Sequence, residues 1–144
     1  MKKILSLTIL CLFVSLGLNA QTFQMTSQYA TGDTISNTGT KACSLKVVHT
    51  YKQVTIQALI TKISGTVAGT VTLQGSIDGT NFVTLDTAAL QTDGPSTFTA
   101  TNVATQNKLW IVNNAPYLWF KLSYTGSGTM AATLKGYLLP REQQ

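Results

Sequence analysis

Apolar and polar residues alternate with a period of two in long stretches of this chain, and that pattern constrains the fold more than any other feature. Val54, Ile56, Ala58 and Ile60 alternate with Thr55, Gln57, Leu59 and Thr61. Val71, Leu73, Gly75 and Ile77 alternate with Thr72, Gln74 and Ser76. Leu118, Phe120, Leu122 and Tyr124 alternate with Tyr117, Trp119, Lys121 and Ser123. Met130, Ala132, Leu134, Gly136 and Leu138 alternate with Ala131, Thr133, Lys135 and Tyr137. A helix buries every third or fourth residue, whereas a strand sends successive side chains to opposite faces, so these stretches read as half-buried strands. Composition agrees. Charged residues are 10% of the 144 residues, against roughly 25% in an average soluble protein. Thr takes their place, and it suits a pleated surface better than a helix.

Shorter strand candidates are Phe23–Tyr29, Leu45–Tyr51, Phe82–Leu85, Thr97–Ala100 and Leu109–Val112. Turn residues separate them. Ser64-Gly65-Thr66 and Thr125–Thr129 read as Gly-containing hairpin loops, and Asp78-Gly79 as a tight hairpin turn with positive φ at Gly79. Thr31–Lys41 reads as a loop, Asp86–Leu90 as a short helical turn, and Asp93-Gly94-Pro95 and Asn113–Pro116 as loop clusters. About eight or nine strands with turns every 8–12 residues point to an all-β fold, an antiparallel sandwich or barrel. A weak internal echo joins Thr72–Ile77 to Thr133–Leu138, each preceded by Ser-Gly-Thr. Two related hairpins and chance similarity in a Thr- and Gly-rich chain both account for it.

The first 20 residues have the form of a signal peptide. Lys2-Lys3 precedes an apolar run, Ile4–Leu18, of about 15 residues. That is short of the roughly 20 needed to span a bilayer. Ala20 supplies the small residue before a cut at Gln21. The expected organisation is a signal peptide at 1–20 and one β-sandwich domain at 21–144, secreted or displayed at the cell surface, without a membrane span in the mature chain. Cleavage takes the basic residues from 10 to 8 against 5 acidic ones, so the mature charge is about +3. The remaining lysines are scattered, and nucleic-acid binding needs a clustered stripe. Cys43 alone survives cleavage, either as a buried small hydrophobe or as an intermolecular link.

Val71–Phe82 resembles the L-x-G-S-x-D-G-x-x-[WF] hairpin of small β-sandwich accessory domains. Tyr117–Leu122, followed by the Gly-rich turn and Thr129–Leu138, resembles the C-terminal part of the same domains. Such domains recur in bacteriophage virion proteins and secreted bacterial surface proteins. The resemblance covers roughly Val54 to Leu138. It implies a non-catalytic, jelly-roll-like sandwich used in assembly or attachment, and a signal peptide favours the secreted branch.

Catalytic chemistry has little to work with. Cys43 and His49 lie six residues apart, about 20 Å along a continuous strand, too far for proton transfer. The carboxylates are Asp33, Asp78, Asp86, Asp93 and Glu142. Of these, Asp78 and Asp86 flank the Phe82 hairpin, but Asp78 is what a turn wants before Gly79. No catalytic residue, metal site or cofactor is expected. Trp110 reads as core. The aromatic resource is the last hairpin: a five-residue loop at Thr125–Thr129 would set Trp119 opposite Lys135 and Tyr117 opposite Tyr137. Tyr117, Trp119, Lys135 and Tyr137 would then form one outward stripe for a partner or a sugar. A face covered by the chain itself, or inverted, is the alternative. The expected function is a non-enzymatic secreted structural or binding module of a bacterial surface or extracellular assembly. A phage virion decoration or fibre-associated protein and a carbohydrate-binding module are the alternatives, with a protein partner or self-association expected.

Overall fold

A computed structural model describes residues 23–24, 26–27, 34–85 and 94–141. These residues form eleven strand segments. They are β1 (Phe23–Gln24), β2 (Thr26–Ser27), β3 (Thr34–Ser36), β4 (Thr40–Lys46), β5 (Tyr51–Gly65), β6 (Gly69–Ser76), β7 (Val83–Thr84), β8 (Thr97–Ala100), β9 (Thr105–Ala115), β10 (Trp119–Gly126) and β11 (Met130–Arg141). The expected leader at 1–20, the helical turn at Asp86–Leu90, and Asp33, Asp86, Asp93 and Glu142 lie outside the described residues.

The segments make two antiparallel sheets. Five strands run in the order β1-β11-β5-β9, with β3 also on β11; six run β2-β4-β10-β6-β7, with β8 also on β6. The two sheets enclose a single core, so the fold is a β-sandwich. β7 and β8 pair with different parts of β6 and act as two pieces of one edge strand. From β3 onward nearly every connection crosses from one sheet to the other, as the strands of a jelly roll do. The exception is the β6–β7–β8 run, which stays in one sheet.

Alternation sets the faces as expected. Val54, Ile56, Ala58 and Ile60 are buried, as are Val71 and Leu73, Phe120, Leu122 and Tyr124, and Ala132, Leu134 and Leu138. Trp110 is fully buried and its indole Nε1 donates to the Pro95 carbonyl at 2.9 Å. Cys43 is buried on β4, facing the core beside Leu122, in line with the first of its two readings.

Connectivity departs from the expectation in two places. Ser64–Thr66 and Thr125–Thr129 are not hairpin loops. Each carries the chain between sheets, β5 to β6 and β10 to β11. The two corners lie side by side: Thr66 N donates to Thr129 O at 3.0 Å, Ser127 N to Ala68 O at 3.1 Å, and the Tyr124 hydroxyl to Ala68 O at 3.1 Å. The two copies of the internal echo therefore run through adjacent corners, one into each sheet. The hole left by inward Gly75 is filled by the rings and methyls of Tyr117 and Leu85.

Strand boundaries also move: β9 runs from Thr105 to Ala115, so Asn113–Ala115 of the expected loop cluster are strand. Thr31–Lys41 is not all loop, because Thr34–Ser36 and Thr40–Lys46 are strands. A single buried Ile35 anchors the first of them, and Thr and Ser on either side cost nothing at a solvated face. Leu45–Tyr51 is not one strand: 47–50 is the crossover from β4 to β5.

Candidate binding cleft

β5 and β9 begin and end together. Tyr51 pairs with Ala115, so the β4–β5 crossover and the β9–β10 connection meet at one end of the sandwich. Between them lies an open cleft of about 590 Å³, lined by His49, Thr50, Tyr51, Lys52, Asn114, Ala115 and Pro116. That size is within the range of small-ligand sites. The His49 and Tyr51 rings lie 4.4 Å apart between centroids, tilted by 33°. The two rings are thus stacked on one another, and the pair brings apolar bodies with polar tips to the cleft. Lys52 and Asn114 supply an ammonium and a carboxamide, and no carboxylate lines the cleft among the described residues. Asn114 has φ 49°, in the left-handed region. Asn reaches that region more readily than other residues, and such backbone outliers gather at binding sites. Just before it, the Gln53 amide donates to Asn113 Oδ1 at 2.8 Å across the β5–β9 pair.

The arrangement offers ring bodies, an ammonium and a carboxamide to a small polar molecule with an apolar face. His49 is exposed in the crossover, not on a strand, and Cys43 is buried, so the two form no dyad. Among the described residues no group of three or more His, Cys, Asp or Glu side chains could hold a metal ion. No helix of the described residues is long and apolar enough to cross a membrane. Sequence reasoning passed over Tyr51, Lys52 and Asn114. The signal was the ring and donor types packed into His49–Lys52, but only the β5–β9 register brings Asn114 beside them.

The aromatic stripe is not assembled. β10 and β11 belong to different sheets, so Trp119 pairs with Lys46 and Ser76, while Lys135 pairs with Leu59 and Tyr137 with Gln57. The hairpin pairing failed because the Thr125–Thr129 segment turns the corner of the sandwich. Tyr117 precedes β10, escapes its alternation and packs on the core, edge-on to Phe120 with centroids 6.4 Å apart. Lys135 and Tyr137 lie on the outer face of the five-stranded sheet. Trp119 is half-buried beneath the Asp78-Gly79 turn.

That turn has the expected positive φ at Gly79, 77°, but it sits in a wider loop, since Gly75 pairs with Val83. Ile77 falls beyond the end of β6 and is 68% exposed, not inward. Asp78 organises the loop. Its carboxylate accepts from the backbone N–H groups of Asn81 and Thr80 at 2.8 Å each, from the Asn81 amide at 2.7 Å and from the Ser76 hydroxyl at 2.8 Å. The Asn81 backbone N–H leads these donors in holding the carboxyl well below the usual carboxylate range. A depressed pKa stabilises the fold above the unfolded carboxylate pKa and loses that contribution as the pH falls. Asp78→Asn is therefore expected to lower the melting temperature near neutrality. The difference from wild type should shrink from about pH 6 to about pH 2.5. Thermal melts across that range check it; a constant difference would remove the assignment.

No family model and no curated sequence relative matches the chain. Solved structures do. The C-terminal carbohydrate-binding module of a marine laminarinase from Zobellia galactanivorans is 11% identical, with 83% of this chain and 99% of that one covered and a TM-score of 0.47. The SPBc2 prophage-derived protein YomS is 14% identical, covering 83% and 93%, with a TM-score of 0.46. The xylan-binding domain of Paenibacillus barcinonensis Xyn10C is 13% identical, covering 89% and 77%, with a TM-score of 0.45. At these identities and TM-scores the likeness assigns the chain neither a family nor a ligand.

Proposed function

We propose that the chain is a secreted, non-catalytic binding module that holds a glycan in the cleft between the β4–β5 and β9–β10 connections. The observation that carries this reading is the stacked His49–Tyr51 ring pair beside Lys52 and Asn114 in an open cleft. A sugar ring has one apolar face of C–H groups and a rim of hydroxyls. The outer ring face of the stacked pair takes the first; a carboxamide and an ammonium take the second. Titration against a panel of neutral oligosaccharides tests it. Tyr51→Ala is expected to weaken binding of a retained sugar about tenfold. A panel without a ligand, or Tyr51→Ala binding as tightly as wild type, removes the reading.

Export belongs to the same proposal. The intact mass of the exported protein is expected to begin at Gln21, and an N-terminus that keeps Lys2 would rule out cleavage after Ala20.

A second reading, assembly into an extracellular or virion structure, draws on the outer face of the five-stranded sheet. There the rows Tyr137–Gln57–Leu109 and Leu139–Thr55–Ile111 run across β11, β5 and β9, so apolar side chains flank a polar one in each, and Leu109 is 44% exposed. Apolar faces of this kind mark contact surfaces. Light scattering over a concentration series separates this reading from a monomeric module.

A further inference from the structure

We propose that the outer face of the six-stranded sheet is a second ligand surface, selective for anionic glycans and centred on Lys121 and Lys46. It shares no residue with the cleft and stands or falls separately from it.

Because Phe120, Leu122 and Tyr124 point into the core, Trp119, Lys121 and Ser123 point out. The register then sets Lys121 between Ser44 and Gln74, with Thr84 beyond Gln74, and sets Trp119 between Lys46 and Ser76. Lys46 and Lys121 are thus diagonal neighbours on one face, about 7–8 Å apart at their bases. Each ammonium is held by a ring: Lys121 Nζ lies 4.0 Å from the centre of Phe82, and Lys46 Nζ lies 5.8 Å from that of Trp119. Both rings are positioned by the Asp78 loop, since Gly79 lies against the Trp119 indole and Phe82 follows Asn81 at the end of the loop.

A solvated surface lysine is fully hydrated and points away from its sheet. Lys121 lies half-buried over a ring, and burial pushes its pKa down. No carboxylate among the described residues pairs with Lys121, and a cation that has given up water in this way has more to gain from an anionic ligand than an exposed one does. The Ser44 and Thr84 hydroxyls and the Gln74 amide surround it, ready for the remaining oxygens of a carboxylate or sulfate ester. Beyond them the same face continues as Ser123, Thr72 and Thr97, then Thr125, Thr70 and Thr99. A hydroxyl-lined strip with two cations at one end suits a hydroxylated polymer bearing anionic groups.

Affinity electrophoresis of the purified protein in polygalacturonate, dextran sulfate, uncharged dextran and single-stranded DNA tests the surface. Retention by one or both anionic glycans is expected, and it should weaken with salt. The glycan that retains it tells carboxylate from sulfate recognition. Lys121→Ala and Lys46→Ala should each weaken retention about tenfold, as should Lys121→Gln, which keeps a long side chain over Phe82 without the charge. Arg141→Gln, on the other sheet, should change it less than about twofold. Melts of each variant separate loss of binding from loss of fold. Equal losses for Arg141→Gln would reduce the effect to net charge. Retention by DNA as strong as by the glycans would make it a general polyanion effect. No retention by either anionic glycan would overturn the proposal outright.

Discussion

Trp110→Ala is expected to lower the stability of the domain by about 3–5 kcal/mol, the cost of emptying a large aromatic site in a closed core. The indole has no exposed surface, sits opposite Ile56 on β5 and donates from Nε1 to the Pro95 carbonyl. Removing it opens a cavity and also leaves that carbonyl without its donor. The contact has a second consequence. β9 is the edge of the five-stranded sheet, and the Pro95 segment is tied to it through this hydrogen bond. A drop in melting temperature of roughly 10–20 °C is the expected readout. Trp110→Phe should recover much of the packing but not the hydrogen bond. A variant that melts like wild type would place Trp110 outside the core.

The second large effect is expected at the corner of the sandwich. Gly69→Ala should cost about 3 kcal/mol or more, far above an ordinary Gly-to-Ala change in a strand. Gly69 has φ 135°, where side chains are rarely found. A Cβ there would come within 2.2 Å of the Thr125 carbonyl oxygen and 2.9 Å of the Tyr124 ring. The oxygen cannot retreat, because Thr125 is paired on both sides, with Thr40 and Thr70. Urea unfolding of this variant beside Gly128→Ala makes the test. Gly128 also has a positive φ, 77°, but nothing lies within 4 Å of its missing side chain. Gly128→Ala should therefore show the conformational cost alone, about 1–2 kcal/mol. Equal effects would mean that the packed corner contributes nothing.

These two positions show what was legible and what was not. Trp110 stands out in the sequence because Leu109-Trp110-Ile111-Val112 is apolar and flanked by turn chemistry, and burial follows from that. Gly69 carries no such mark. Ser64-Gly65-Thr66 and Thr125–Thr129 have the composition of hairpin loops, and a hairpin and a corner between sheets ask for the same residue types. The choice between them is made by whether the next strand finds its partner beside the last one or across the core. That single misassignment displaced the whole aromatic stripe, because every cross-strand pair of Tyr117, Trp119, Lys135 and Tyr137 depended on it. The candidate cleft was illegible for a related reason. His49–Lys52 and Asn114 are some 60 residues apart in the chain, and only the β5–β9 register brings them together.

Legible in the residues themselves were the all-β class, the inward faces of β5, β6, β10 and β11, the burial of Trp110 and the left-handed turn at Gly79. These are local properties: alternation follows from the geometry of one strand, and a positive φ from the absence of a side chain. The tertiary structure decided which strands are neighbours, and with that the half-buried place of Trp119 beneath the Asp78 loop. It also decided the cleft at one end and the lysine pair on the six-stranded face. Pairing partners depend on long-range packing of two sheets over a shared core, and many orders of the same strands would satisfy the same alternation.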